Sequence, residues 1–265
     1  MMKKILVLLL ALLMVFTLAA CAGGGDDELV INAPGDLEQP GVRIGVQLGT
    51  TGHVFANENF PDAEVMAYDT NSDAILALLT GDVDAVIMDN LPGMEFVGQN
   101  EGRIRQLDEM LTHEQYGIAL PLDSPYTALF NQALDELRAN GTVDAIMDYW
   151  VYRTPGSARY ETPAGTTHPN GVLLMGTNAD FPPFEFIEYG QVVGIDPDLA
   201  RAIGDILGYE IEIVDMDFGV IILSVQTGQV DFGMAGMTIT AERLEMVDFT
   251  QGYFLSGQSI IVRVS

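Results

Sequence analysis

Basic side chains are scarce in this chain of 265 residues: 11 Lys and Arg stand against 38 Asp and Glu, a formal charge of −27. A field of that sign repels phosphate backbones and anionic lipid, which argues against a nucleic-acid partner and is otherwise the solvated acidic surface of a soluble protein. Cysteine occurs once, at Cys21, so no internal disulfide can form. The three histidines, His53, His113 and His168, lack metal-ligand spacing, and no G-x-S-x-G elbow, P-loop or H-E-x-x-H motif is present. Asp69-x-Asn71-x-Asp73 opens like a calcium loop, but Ala74 stands where Gly is required and Thr80 where Glu is required. No metal, cofactor or catalytic residue is therefore expected. After the first twenty residues no apolar run reaches the roughly 20 residues that a bilayer span needs.

What is present begins with Lys3 and Lys4, the apolar run Ile5 to Phe16, and Leu18-Ala19-Ala20-Cys21. Residues 1–20 read as a removable export signal. The stretch resembles bacterial lipoprotein signals, in which Cys21 would be the lipidated residue; an ordinary cleaved signal followed by a chance cysteine is the alternative. Residues 21–40, with Gly23 to Gly25, Asp26 and Asp27, read as a tether. The expected location is extracytoplasmic, held to a membrane by the lipid.

Hydrophobic residues make up 48% of the chain and charged residues 18%, enough to bury two modest cores. A weak repeat supports two halves: Thr80-Gly81-x-Val83-Asp84 and Thr227-Gly228-x-Val230-Asp231 each follow a helical apolar stretch and precede an apolar run. Gly81 and Gly228 suit the position just past a helix end. Each half also begins with a strand ending in Gly-Thr, Ile44 to Thr50 and Val172 to Thr177. Strand–helix–strand alternation predicts parallel-type α/β sheets, whose ligands sit beyond the carboxyl ends of the strands. Between the halves, Ser124-Pro125 starts a helix with Leu129, Phe130, Leu134 and Leu137 on its apolar face. Gly141 ends it, and Thr142 is positioned to cap a second helix carrying Ile146 and Trp150. Trp150 reads as a core anchor. Residues 154–170, rich in Pro and Gly, read as a linker.

The stretches 176–185 (GTNADFPPFE), 194–200 (GIDPDLA), Asp217-Phe218, 235–243 (AGMTITAER), 45–51 (GVQLGTT) and 84–89 (DAVIMD) resemble the polar amino acid binding proteins of bacterial ABC importers. These are solute-binding proteins of family 3 with the type II periplasmic binding fold, and the glutamine-binding members look most similar. The resemblance implies an α/β fold of two lobes closing about a hinge. It also implies a circular permutation, because in the family the segment like 171–265 comes first and the one like 30–153 comes second. The implied organisation is lobe 2 over 41–117, a helical hairpin over 118–153 packing on lobe 1, the linker 154–170, and lobe 1 over 171–265, with a single remaining crossover near Tyr116 to Pro121.

An α-amino acid presents a carboxylate and an ammonium, so a closed site needs a fixed cation, backbone donors and a fixed carboxylate. Arg243 is the candidate cation, since a guanidinium grips a carboxylate with two parallel bonds, unless it merely pairs with Glu242 or Asp248. Thr238 adds a hydroxyl and Gly236 an unobstructed backbone group. Thr50 and Thr51 precede a helix whose free N–H groups can meet the same carboxylate, or else simply cap it. Asp89, at a strand end, is implied to take the ammonium, unless it caps the turn before Pro92. By the resemblance Phe181 and Phe218 wall the ligand's side chain, and Asn178 and Gln47 stand at specificity positions where relatives carry Asp and Lys. These favour a polar neutral amino acid, with Asp180 and Glu185 able to restore negative charge for a cationic one. The expected function is delivery of such a solute, by a monomer, to ABC permease subunits. The rivals are a cyclohexadienyl dehydratase-like enzyme on the same scaffold, which needs a buried acid beside Phe181 and Phe218, and a sensory domain.

Overall fold

The computed structural model describes residues 29–264; the expected signal, Cys21 and the first part of the tether lie outside the described residues. Among the described residues no helix is long and apolar enough to cross a membrane. Every element below belongs to one unit that begins at Ile31. In chain order the strands are β1 (Arg43–Gln47), β2 (Glu64–Tyr68), β3 (Ala85–Asp89), β4 (Ile104–Gln106), β5 (Glu114–Tyr116), β6 (Ala119–Leu120), β7 (Val172–Thr177), β8 (Asp180–Phe181), β9 (Glu185–Glu188), β10 (Gln191–Val193), β11 (Glu210–Asp215), β12 (Phe232–Gly233), β13 (Asp248–Phe249), β14 (Phe254–Ser256) and β15 (Gln258–Arg263). The helices are α1 (Thr51–Asn59), α2 (Asn71–Thr80), α3 (Asn90–Gln99), α4 (Tyr126–Ala139), α5 (Thr142–Trp150), α6 (Ile195–Leu207), α7 (Ile221–Gln226) and α8 (Ala241–Leu244).

Two five-stranded sheets share one plan. In lobe 2 the order is β2-β1-β3-β15-β4, and in lobe 1 it is β11-β7-β12-β6-β13. In both, the first three strands are parallel and the fourth runs antiparallel to its neighbours. The repeat read from the sequence does the same structural work in each. Asp84 accepts a hydrogen bond from the Arg43 N–H at 3.0 Å, and Asp231 accepts one from the Leu174 N–H at 2.7 Å. Val83 and Val230 are buried against Gly45 and Gly176, strand glycines where a Cβ would crowd them at 3.3 and 3.1 Å. Gly81 and Gly228 have φ of 86° and 70°, the left-handed conformation that lets glycine turn the chain past a helix end.

Three boundaries differ from the sequence reading. β15 lies in lobe 2, not lobe 1, so lobe 1 does not extend over 171–265. Its run Ser259 to Val262 is buried on both faces, as a central strand wedged between β3 and β4 must be. The lobes are consequently joined by two chain crossings, not one: β14 leads into β15, β5 leads towards β6, and β5 and β14 pair antiparallel as a hinge ribbon. Finally, the tether over 21–40 ends early. Ile31 and Leu37 are buried with Ile44, Val46 and Leu107 in the core of lobe 2, and Asp36 caps the turn by accepting from the Asn32 and Ala33 N–H groups.

The hairpin α4–α5 packs on lobe 1 as expected, with Phe130 edge-on to Phe232 at 5.1 Å and the Trp150 indole N–H donating to Asp198 at 2.7 Å. Leu129, however, is exposed, and Ala133 takes the inner position; Asn140 rather than Thr142 caps α5, accepting from the Thr142 N–H at 3.0 Å. Residues 154–170 form no regular element but are strapped to α6, where Asp205 is bonded by Tyr160 and His168, both at 2.8 Å.

Candidate functional site

The carboxyl ends of β1, β3 and β7 meet between the lobes, where alternation along a parallel strand ends and side chains of the next loops turn inward. Gln47, Thr50, Thr51 and Asp89 from lobe 2 and Asn178, Phe181, Glu185, Phe218, Ala235, Gly236, Thr238 and Arg243 from lobe 1 line one cavity. All ten candidate residues from the sequence are among them, together with Glu185, named there only as a source of negative charge, and Ala235, which is the addition. The lobes are closed, leaving a cavity of about 10 Å³, room for roughly one water. Direct contacts hold it shut: Gln47 donates to Asn178 at 2.9 Å, Arg243 donates to the Gly49 carbonyl at 3.2 Å, and Ser72, at the start of α2, donates to Asp180 through its N–H at 2.8 Å and through its hydroxyl.

Arg243 sits in α8, whose first turn is capped by Thr240, the Thr240 hydroxyl accepting from the Arg243 N–H at 3.2 Å. Only 8% exposed, its guanidinium bonds backbone carbonyls, Thr238 at 2.8 Å and Gly49, and stacks over the Phe218 ring at 5.3 Å. Neither Glu242 nor Asp248 forms an ion pair with it among the described residues, so the surface-pair alternative does not hold. Burial pulls its pKa down, while Asp89, Glu114 and Glu242 oppose that fall.

Asp89 occupies the position before α3, yet its carboxylate makes no cap bond to that helix. It turns instead to the hinge ribbon, accepting from the Tyr116 hydroxyl at 2.5 Å and from Ser256 at 3.3 Å. Burial foremost, then the charge of Glu114, raises its pKa to about 6 despite those donors.

Thr50 does cap α1, its hydroxyl accepting from the His53 N–H at 3.2 Å, so this candidate performs the simpler role while facing the cavity. Gly236 has φ of 52°, and a Cβ there would approach Phe181 to 2.4 Å, which explains the glycine. Its N–H is not free but donates to Asp196 at 2.9 Å. The specificity pair is spent on itself: Gln47 and Asn178 bond each other, Asn71 donates to Gln47 at 2.8 Å, and Asn178 donates to the Met216 carbonyl at 3.0 Å.

Glu185 is fully buried; no N–H or hydroxyl of the protein donates to its carboxyl oxygens, and it shares a proton with the adjacent Asp196 carboxylate. Burial and the neighbouring Asp196 push its pKa well above the carboxylate range. Asp196, raised to about 6 mainly by burial, accepts from Gly236 and from the Tyr253 hydroxyl at 2.8 Å. The sequence signal for Glu185 is an acidic residue between Phe184 and Phe186. The supporting trio Glu114, Tyr116 and Ser256 carries none, because a ribbon joining residues 140 apart leaves no local spacing.

Residues 173–265 match the family model for bacterial extracellular solute-binding proteins, family 3. The arginine-binding extracellular protein ArtP of Bacillus subtilis is 45% identical over 89 residues, 34% of this chain and 35% of the relative. A glutamine-binding protein of Geobacillus stearothermophilus is 36% identical over 118 residues, covering 41% of this chain and 45% of the relative. The chain thus spans between a third and a half of the length of these relatives. A solved ancestral arginine-binding protein bound to arginine is 50% identical over 32% of this chain and 38% of its own, with a TM-score of 0.31. The stretch 173–265, which supplies eight of the twelve cavity-lining residues, is thus similar to the bacterial extracellular solute-binding proteins, family 3.

Proposed function

We propose that this chain holds a free α-amino acid between its lobes, outside the cytoplasm, and delivers it to an ABC importer. The observation that carries the reading is Arg243: a buried guanidinium with no carboxylate partner among the described residues, lining the same closed cavity as Asp89. A buried charge is costly unless it is paired, so a ligand carboxylate at Arg243 and a ligand ammonium at Asp89 complete what the protein leaves open. Opening about the β5–β14 ribbon admits the ligand, and closure brings residues of both lobes onto it.

The ligand's side chain is cationic in this reading. Glu185 keeps its proton, so the negative charge that favours a cation here is the one the buried Glu185–Asp196 pair retains on Asp196. Asn178 and Gln47, which alone favoured a neutral ligand, satisfy each other instead. The names of the arginine-binding relatives point the same way. The chain order is read as a permutation of the family's, supported by two sheets of identical strand order, in which either lobe can lead without altering the fold. The lipid anchor at Cys21 completes the reading and rests on the sequence.

A thermal-shift screen of the twenty amino acids tests it. Arginine and lysine are expected to raise the melting temperature most, since a ligand at a hundredfold excess over its Kd adds about 2.7 kcal/mol. If no amino acid shifts the melt, the reading fails. A second reading, a dehydratase, is favoured by one observation: Glu185 is a buried, proton-holding acid lining the cavity beside Phe181. Turnover of prephenate or arogenate would establish it in place of binding.

A further inference from the structure

The hinge ribbon carries a carboxylate that touches both lobes. Glu114, in β5, lies opposite Ser256 of β14. Its Oε2 accepts from the Thr51 hydroxyl of lobe 2 at 2.8 Å and from the Thr238 hydroxyl of lobe 1 at 2.6 Å, with the Gln258 amide at 3.5 Å. Its Oε1 is fixed by the Thr112 hydroxyl at 2.6 Å. Thr51 begins α1, while Thr238 is bound to the hinge through an isolated bridge to Tyr116 and the Ile239 N–H donating to the Gln115 carbonyl at 2.9 Å. In this closed arrangement one oxygen accepts from a threonine of each lobe. Both threonines line the ligand cavity and Glu114 does not.

We propose that Glu114 is a positioning residue that latches the closed form, by holding one cavity threonine from each lobe on a single hinge-borne carboxylate oxygen. A hydroxyl has one hydrogen to donate, so Thr51 and Thr238 turn only lone pairs towards the cavity while the latch is made. The ligand carboxylate is then left to Arg243 and to the N–H groups at the start of α1, and the latch persists when ligand is bound. The latch lies at the hinge and outside the cavity, so it is kept while the walls part from the ligand-free volume of about 10 Å³ to take an amino acid, and Glu114 raises affinity by favouring closure over the ligand.

The inference rests on the amino-acid reading for its second half only, and the experiment separates the two. Small-angle scattering of the full chain without ligand measures closure directly. The wild type is expected to be more compact than Glu114→Gln, which keeps the size but not the charge, and than Glu114→Asp, which keeps the charge but retracts it by one methylene. Equal compactness of all three overturns the latch whatever the ligand is. Titration with L-arginine by calorimetry is the second measurement. Both variants are expected to bind roughly tenfold more weakly, the loss of about one charge-assisted hydrogen bond. Tighter binding by Glu114→Gln would mean that Glu114 competes with the ligand carboxylate, and would overturn the proposal. Wild-type affinity retained in Glu114→Asp would reduce Glu114 to a source of field and overturn it equally. If the wild type itself binds no amino acid, the functional reading fails while the scattering result still stands.

Discussion

Lobe 1 and lobe 2 have the same sheet order and the same Thr-Gly-x-Val-Asp device, yet they divide the site unequally. Lobe 1 supplies eight of the twelve cavity residues, including the cation Arg243 and the buried acid Glu185, with Asp196 beside it; lobe 2 supplies four, including the anion Asp89. The shared part is the sheet-making one: a strand glycine that admits a valine, and an aspartate that ties the third strand's entry to the first strand. The unshared part lies beyond the strand ends, where no sheet geometry constrains the side chain and chemistry is free to differ. The lobes are therefore alike where they fold and unlike where they face each other.

That division predicts which substitutions hurt binding and which hurt folding. The largest effect is expected at Arg243→Ala, which should weaken L-arginine binding a hundredfold or more in calorimetry, because truncating one side of a buried charge pair costs roughly 2–5 kcal/mol. Asp89→Asn in lobe 2 should cost less, since Tyr116 and Ser256 already bond the carboxylate. Equal losses would contradict the asymmetry. Next is Gly236→Ala, expected to lower stability by about 2–3 kcal/mol in urea unfolding, from a side chain at positive φ driven against Phe181.

The repeat offers a finer comparison. Asp84→Ala should destabilise by about 2 kcal/mol, since Asp84 bonds both the Arg43 backbone and its guanidinium, the latter at 2.6 Å. Asp231→Ala, with the backbone bond alone and an exposed side chain, should cost under about 1 kcal/mol. A reversed order would show that the two aspartates do not play matching roles.

The smallest effect is with pH, and it separates binding from stability. Asp89 titrates at about 6, so the ammonium loses its partner and affinity should fall as pH drops through 6. Folding responds with the opposite sign. Asp89 and Asp196 have folded pKa values above their unfolded ones, so the folded state holds their protons more tightly. Their contribution to the stability of the unliganded protein should rise as pH falls from about 7 towards 5. Melting curves with and without arginine across that range measure both; parallel pH profiles would break the assignment.

Features set by near neighbours were legible in the chain. The helix-end glycines and the buried hairpin face of Phe130, Leu134 and Leu137 lie in segments whose residue types state their role within a few positions, whereas cavity candidates such as Phe181, Phe218, Asn178 and Gln47 were legible through the family resemblance. Three boundaries could not be read that way. Ser259 to Val262 looks like the last strand of lobe 1 because it comes after lobe 1 in sequence, and only its pairing between β3 and β4 moves it across. The second crossing, from β14 into β15, is hidden for the same reason. Ile31 and Leu37 look like tether residues until the core that receives them exists.

The sequence by itself determined two α/β halves and an apolar helical hairpin between them, because these depend on short-range periodicity and turn chemistry, and its family resemblance pointed to the side chains that line the cleft. Only the tertiary structure decided that two strands, not one, cross between the lobes, that Gln47 and Asn178 satisfy each other, and that Glu114, Tyr116 and Ser256 of the hinge reach the residues of the cleft. Those contacts join parts of the chain from 27 to 167 residues apart, and at such separations pairing is set by how sheets close and cores fill rather than by any spacing a sequence can display.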